Sequence, residues 1–135
     1  MKRSSIVLLL GAAVLFASCS KDNPQPEQKL SDVLIVNNGN WNANDACISS
    51  YNLTTGEVSS ELFFAANGLR LGDLAQDIIC YEDKILIAVS GSKIIFVCDR
   101  DLKIVAQITK DYSPRAFCIG DGKIYVSYYE GLLGE

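Results

Sequence analysis

The residues best suited to chemistry in this chain are amides and one indole, gathered in the polar segment 37–45. The segment holds five asparagines together with Gly39, Trp41 and Asp45. Amides can hydrogen-bond the periphery of a ligand and an indole can stack on a flat one, so Asn38, Asn40 and Trp41 are candidate ligand-binding residues. Three alternatives stay open: turn chemistry for the asparagines, a core anchor for Trp41, and a calcium site at Asp45.

Two further segments carry candidates for the same ligand. Residues 67–73 place Asn67, Arg70 and Asp73 among glycines, and Arg115 precedes another apolar run. A guanidinium pairs well with a phosphate or a carboxylate, which makes both arginines candidate ligand contacts. The alternative for each arginine is a solvated or locally paired surface charge.

The composition argues against several classes of site. The chain contains no histidine, which removes Ser-His-Asp and Cys-His nucleophile systems and the commonest zinc ligand. Its acidic residues are scattered at turns, so we expect a binding protein and no enzyme, without a resident cofactor or metal. There are 12 basic and 16 acidic residues, a net charge of −4. An acidic surface repels phosphate backbones, so we expect no nucleic-acid partner.

The first 18 residues predict a lipoprotein signal peptide. Lys2 and Arg3 give a positive start, and the apolar run at 6–17 has 12 residues. A membrane-spanning helix needs roughly 20 residues, so this run is typical of a secretory signal. The sequence that ends it, Leu-Phe-Ala-Ser-Cys at 15–19, resembles the lipobox of bacterial lipoproteins. The alternative is an ordinary cleaved signal in which the cysteine is incidental.

The lipobox resemblance implies that Cys19 is acylated and becomes the new N-terminus. Acyl chains contribute about 0.8 kcal/mol per buried CH₂, so several of them would hold the protein on the outer membrane. Residues 19–32 are polar with two prolines and predict an extended tether. Its start, Ser-Lys-Asp at 20–22, resembles signals that send lipoproteins to the cell surface.

The elements that must position the candidate residues are predicted to be strands. Short apolar runs rich in Ile, Val and Tyr are separated by turn residues, and no apolar face recurs at helical spacing. Breaks of two or three residues between the last four strands predict an antiparallel meander. The predicted strands are 33–36, 46–52, 57–64, 75–81, 84–90, 93–99 and 102–109, with a longer loop at 65–74.

The pattern then repeats at a spacing of 39 residues, which aligns Lys84 with Lys123 and Glu82 with Asp121. A repeat of this size with four strands is typical of one propeller blade. We therefore predict an all-β fold, an incomplete β-propeller of four-stranded antiparallel blades within residues 33–135. The predicted parts are an incomplete first blade at 33–64, a second at 75–109 and half of a third at 115–129.

Propellers close with about 4–8 blades, so we expect this chain to be the N-terminal part of a longer protein. Its uncovered blade faces and edges should cause self-association.

The four cysteines of the body show no CxxC spacing: Cys47, Cys80, Cys98 and Cys118. The repeat places Cys80 and Cys118 on neighbouring sheets, about 10 Å apart, whereas bridged Cα atoms lie about 4.4–6.8 Å apart. We expect free, mostly buried thiols.

Several stretches of the body resemble known propellers. Residues 113–115 and 120–127 resemble the YVTN-type repeat, with its proline, its Asp-Gly turn and its Tyr-Val strand, and residues 94–99 and 103–105 resemble its second half. A more specific resemblance, to the YncE-like surface lipoproteins of Gram-negative gut anaerobes, lies in residues 36–41, 48–51, 55–58, 66–68 and 71–73. That family usually has Glu where this chain has Asn38.

The resemblance implies a seven-bladed propeller held at the cell surface by lipid. The BtuG-like members of that family capture cobalamin and hand it to a TonB-dependent transporter, which makes cobalamin and such a transporter the partners implied here. A shared fold does not carry its ligand across. Two other functions stay open: a surface module that contacts a protein or glycan, and a quinoprotein-like propeller enzyme component.

Overall fold

The computed structural model describes residues 32–129. Cys19, the predicted signal peptide, almost all of the tether and residues 130–135 lie outside this range. Within it the chain forms nine strands and one short helix, arranged as three antiparallel sheets, none of which closes on itself. The prediction of an all-β fold is confirmed.

The first sheet contains β1 (Asp32–Asn37), β2 (Cys47–Asn52) and β3 (Val58–Ser59), in that order, and the helix α1 (Leu62–Asn67) follows it. The second sheet contains β4 (Ala75–Tyr81), β5 (Lys84–Val89), β6 (Ile94–Cys98) and β7 (Ile104–Thr109), paired in sequence order. This is the predicted four-stranded meander. The third sheet pairs β8 (Ser113–Gly120) with β9 (Lys123–Tyr129).

The predicted strand at 57–64 is wrong over most of its length. Only Val58–Ser59 pairs with β2, and α1 occupies the start of the predicted loop as well. Leu62 and Ala66, one helical turn apart, pack on the core while Phe63 is 1% exposed. Gly68 ends the helix with φ near +68°, a left-handed conformation that glycine adopts without steric cost.

The main core lies between the first and second sheets. Ile48 of the first sheet and Ile87 and Val89 of the second are 0% exposed. The ring of Phe63 packs against that of Phe96, with centroids 4.9 Å apart. Burying each large apolar side chain contributes about 1.5–3 kcal/mol, so this contact ties α1 firmly to the second sheet.

The third sheet packs on the opposite face of the second. Ala88 and Ile95 are buried there, in register with Asp77. The Asp77 carboxylate accepts a hydrogen bond from the backbone N–H of Phe117 at 2.7 Å, and the Tyr81 hydroxyl donates to the carbonyl of Gly122 at 2.9 Å. The three sheets are therefore stacked, with the second in the middle.

The predicted repeat is confirmed by the backbone. Both β4 and β8 carry a β-bulge near their start, at Gln76 and at Arg115, which are 39 positions apart. The first residues of the turns that follow these strands match as well, because Glu82 and Asp121 both have positive φ, at 52° and 48°. Equivalent positions thus share unusual geometry, which chance similarity between two apolar hairpins would not produce.

The cysteine prediction holds only in part. All four thiols of the described range are free, and Cys98 is buried, where desolvation raises its pKa to about 11. Cys47 is half-buried. Cys80 and Cys118 are exposed, so the expectation of burial is wrong for them.

Phe63 and Phe64 provide a matched test of this packing, since one is 1% and the other 48% exposed in the same helix. We predict that Phe63→Ala lowers the free energy of unfolding by about 3–5 kcal/mol. Phe64→Ala should change it by less than about 1 kcal/mol, because about half of that residue is exposed to water. Urea titration followed by circular dichroism measures both, and equal losses would contradict the described core.

We also predict that the chain self-associates, because the outer faces of the first and third sheets expose apolar side chains. Ile35 is 39% and Tyr125 50% exposed. Ile35→Lys and Tyr125→Lys should each reduce the concentration dependence of the sedimentation coefficient. Leu53→Lys, at a turn residue that is 56% exposed, is the control and should not. A monodisperse, cooperatively melting monomer would refute the prediction.

Candidate functional site

The loop 38–45 joins β1 to β2 and folds over the start of β4. Backbone hydrogen bonds fasten both of its ends. The N–H of Ala75 donates to the carbonyl of Asn38 at 3.1 Å, and the N–H of Ala46 donates to the carbonyl of Gly72 at 3.2 Å. The loop therefore lies against the segment 68–74. The sequence placed candidate residues in both segments, and the structure brings the two together.

Inside the loop, Asp45 is the residue that fixes its shape. Its carboxylate accepts hydrogen bonds from the backbone N–H of Asn40 at 2.6 Å and from the Asn40 side-chain amide at 2.8 Å. These bonds hold the pKa of Asp45 below its usual value, and the positive charge of Arg70 lowers it further. Arg70 thus lies close enough to the loop for its charge to act there.

Asp73 ties three segments together. Its carboxylate accepts from the backbone N–H of Asn42 at 2.9 Å, and its own N–H donates to the Ser92 hydroxyl at 2.9 Å. The backbone N–H of Ser92 donates in return to the Asp73 carbonyl at 3.2 Å. Within residues 32–129, the second carboxylate oxygen of Asp73, Oδ1, is buried and has no hydrogen-bond partner.

Trp41 stands at the tip of the loop and is 59% exposed, so it is not a core anchor. Asn42 and Asn44 have φ of 61° and 53°, which is the left-handed geometry that asparagine tolerates. Turn chemistry therefore accounts for these two asparagines. Asn38 and Asn40 are exposed in the same loop, although the Asn40 amide is engaged by Asp45.

Two predicted site residues lie elsewhere. The Asn67 amide donates to the carbonyls of Phe63 and Leu102 at 2.9 and 2.8 Å, and its oxygen accepts from the N–H of Ile104 at 2.9 Å. These bonds tie α1 to the β6–β7 turn, so Asn67 has a structural role. Arg115 is exposed at the bulge of β8 in the third sheet.

Sequence reasoning missed Ser92 and the structural role of Asp45. Ser92 lies about twenty positions after Asp73, and only the folded meander brings its turn against that aspartate. The short spacing of Asn40 and Asp45 across an asparagine-rich turn was a usable signal, since Asx side chains commonly bond to nearby backbone.

The described residues contain no cluster of three or more His, Cys, Asp or Glu side chains that could hold a metal ion. No helix between residues 32 and 129 is long and apolar enough to cross a membrane. Comparison with family models and with curated proteins gives no match for the chain.

Gly39 provides a test of how tightly this loop is closed. A Cβ added there would lie 2.5 Å from Asp45 Oδ1 and 2.6 Å from the Ala46 nitrogen, at φ of +78°. We predict that Gly39→Ala destabilises the protein by about 1–2 kcal/mol from the left-handed backbone. The steric clash should add about 1–3 kcal/mol.

Gly68→Ala is the matched control, because Gly68 has φ of +68° but no atom within 4 Å of an added Cβ. It should show the backbone cost alone. The free energy of unfolding in urea measures the difference between the two variants. Equal losses would mean that the loop yields to the added methyl group.

Proposed function

We propose that this protein is a lipid-anchored binding protein of the cell surface that captures a flat, amide-rich small molecule, with cobalamin as the leading candidate. Anchoring would use Cys19 and the outer membrane, and delivery would go to a TonB-dependent transporter. The observation that carries the proposal is the exposed Trp41 indole on a loop that backbone hydrogen bonds fasten at both ends.

The propeller architecture is part of the proposal, and the stacking of the sheets supports it. In the first sheet, β1 ends near the start of β4 and lies beside that strand. In the second sheet, β5 likewise ends near the start of β4, and it lies beside β8 of the third sheet. The first sheet therefore corresponds to the last three strands of the meander and lacks a first strand. The second and third sheets are related by 39 residues, and the three sheets stack in succession, as the blades of a propeller would.

The chemistry of the site fits such a ligand. An indole offers a rigid flat surface for stacking, and the exposed Asn38 side chain in the same loop offers an amide. Arg70 could pair with a phosphate on the ligand. A donor that reached the buried Oδ1 of Asp73 would gain a strong hydrogen bond, because an unsatisfied buried acceptor is costly.

The test is calorimetric titration of the full chain with cobalamin. Trp41→Ala should weaken binding about tenfold, which corresponds to a loss of about 1.4 kcal/mol of stacking. Tyr125→Ala is the matched control, since that ring is 50% exposed on the third sheet, away from the loop, and should leave affinity unchanged.

Absence of binding at micromolar cobalamin would overturn cobalamin as the ligand. Binding that Trp41→Ala does not weaken would overturn the loop as its site.

A further inference from the structure

A second recess lies at the edge of the sheets opposite the loop 38–45. It is a cavity of about 480 Å³ between α1, the first half of β1 and the β6–β7 turn. β1 starts at this cavity with Asp32 and ends at the loop with Asn37, so the length of the strand separates the two features. The cavity is therefore distinct from the candidate site described above.

The wall of the cavity is apolar. Leu34 of β1, Leu62 and Ala66 of α1, and Leu102 of the β6–β7 turn line it. It forms because Phe63 holds the helix against Phe96, between the two sheets. Folded cores contain few voids larger than a water molecule, whereas pockets for small molecules measure about 300–1,000 Å³. The volume of this cavity is therefore that of a small-molecule pocket and not that of a packing void.

The mouth of the cavity is acidic. Asp32 and Asp101 line it and are exposed, and neither forms an ion pair within residues 32–129. Asp99 fixes the turn, because its carboxylate accepts hydrogen bonds from the backbone N–H groups of Asp101 and Lys103, each at 2.9 Å. Asp101 is therefore held on an ordered turn at the entrance.

Among residues 32–129, the cation that lines the mouth, Arg100, is directed toward the β4–β5 turn. Its guanidinium donates a hydrogen bond to the carbonyl of Glu82, and its charge acts on the Asp83 carboxylate. Within residues 32–129 the carboxylates of Asp32 and Asp101 therefore have no ion-pair partner, and their negative charge favours a ligand that carries a positive one.

We propose that this cavity binds a small amphipathic amine, with its apolar body between Leu34 and Ala66 and its ammonium group at Asp32 and Asp101. The site does not depend on the ligand of the loop 38–45. A negative result for the amine and a negative result for cobalamin would therefore come from separate experiments and could be told apart.

The test uses hexylamine and 1-hexanol, which share an apolar chain and differ in charge. Saturation-transfer difference NMR on the full chain measures the affinity for each. Hexylamine should bind at least tenfold more tightly than hexanol, because only the amine pairs with the two carboxylates. Asp101→Asn should remove most of that advantage, and Asp121→Asn, at an exposed residue of the β8–β9 turn in the third sheet, should preserve it.

Ala66→Trp should abolish binding of both compounds, because the indole fills the cavity. Asp101 is exposed, so its variant reports on the site even where Ala66→Trp disturbs the fold. Equal affinity for amine and alcohol, or no binding at millimolar hexylamine, would overturn the proposal. So would an amine affinity that Asp101→Asn leaves unchanged.

Discussion

The packing of the first sheet against the second is the constraint on which the remaining structure depends. Both loops of the candidate site are attached to this core by a single buried residue, Ala46 after the loop 38–45 and Leu71 within the segment 68–74. Hydrogen bonds alone contribute about 1 kcal/mol each, which is too little to hold polar loops without such anchors. The loops are ordered because their ends lie in the core.

Once the ends are anchored, local hydrogen bonds determine which groups remain available to a ligand. Asp45 uses both carboxylate oxygens on Asn40, and Asp73 binds the backbone of Asn42. These aspartates therefore order the loop and leave the indole of Trp41 as its most prominent exposed group. The same division of roles explains Asn67, whose amide is fully used in joining α1 to a distant turn.

Much of the fold could be predicted from the sequence, because strand alternation and short turns are local signals. The structure matches those predictions from β4 to β9. It departs from them at α1, whose six residues are too few for a helical period to stand out from an apolar strand.

The exposure of Cys80 and Cys118 could not be predicted, because burial on a sheet face depends on which sheet covers it. The sequence selected the loop 38–45 and the segment 67–73 as candidates, but the hydrogen bonds that join them cross between two sheets, and the partners of Asn67 lie 35 and 37 residues away. Neither set of contacts could be read from local patterns.

The two edges of the stacked sheets differ in chemistry, and strand length keeps them apart. A strand of six residues such as β1 spans roughly 20 Å, which exceeds the reach of any small ligand that fills one recess. Side-chain effects separated by more than about 7–10 Å are usually additive, so a change at Trp41 should not be felt at Asp101 through contacts. Any coupling between the edges would have to pass through the core that both share, around Phe63 and Ile48. A variant that loosens this core would affect both edges together, and that pattern distinguishes a structural defect from the loss of one site.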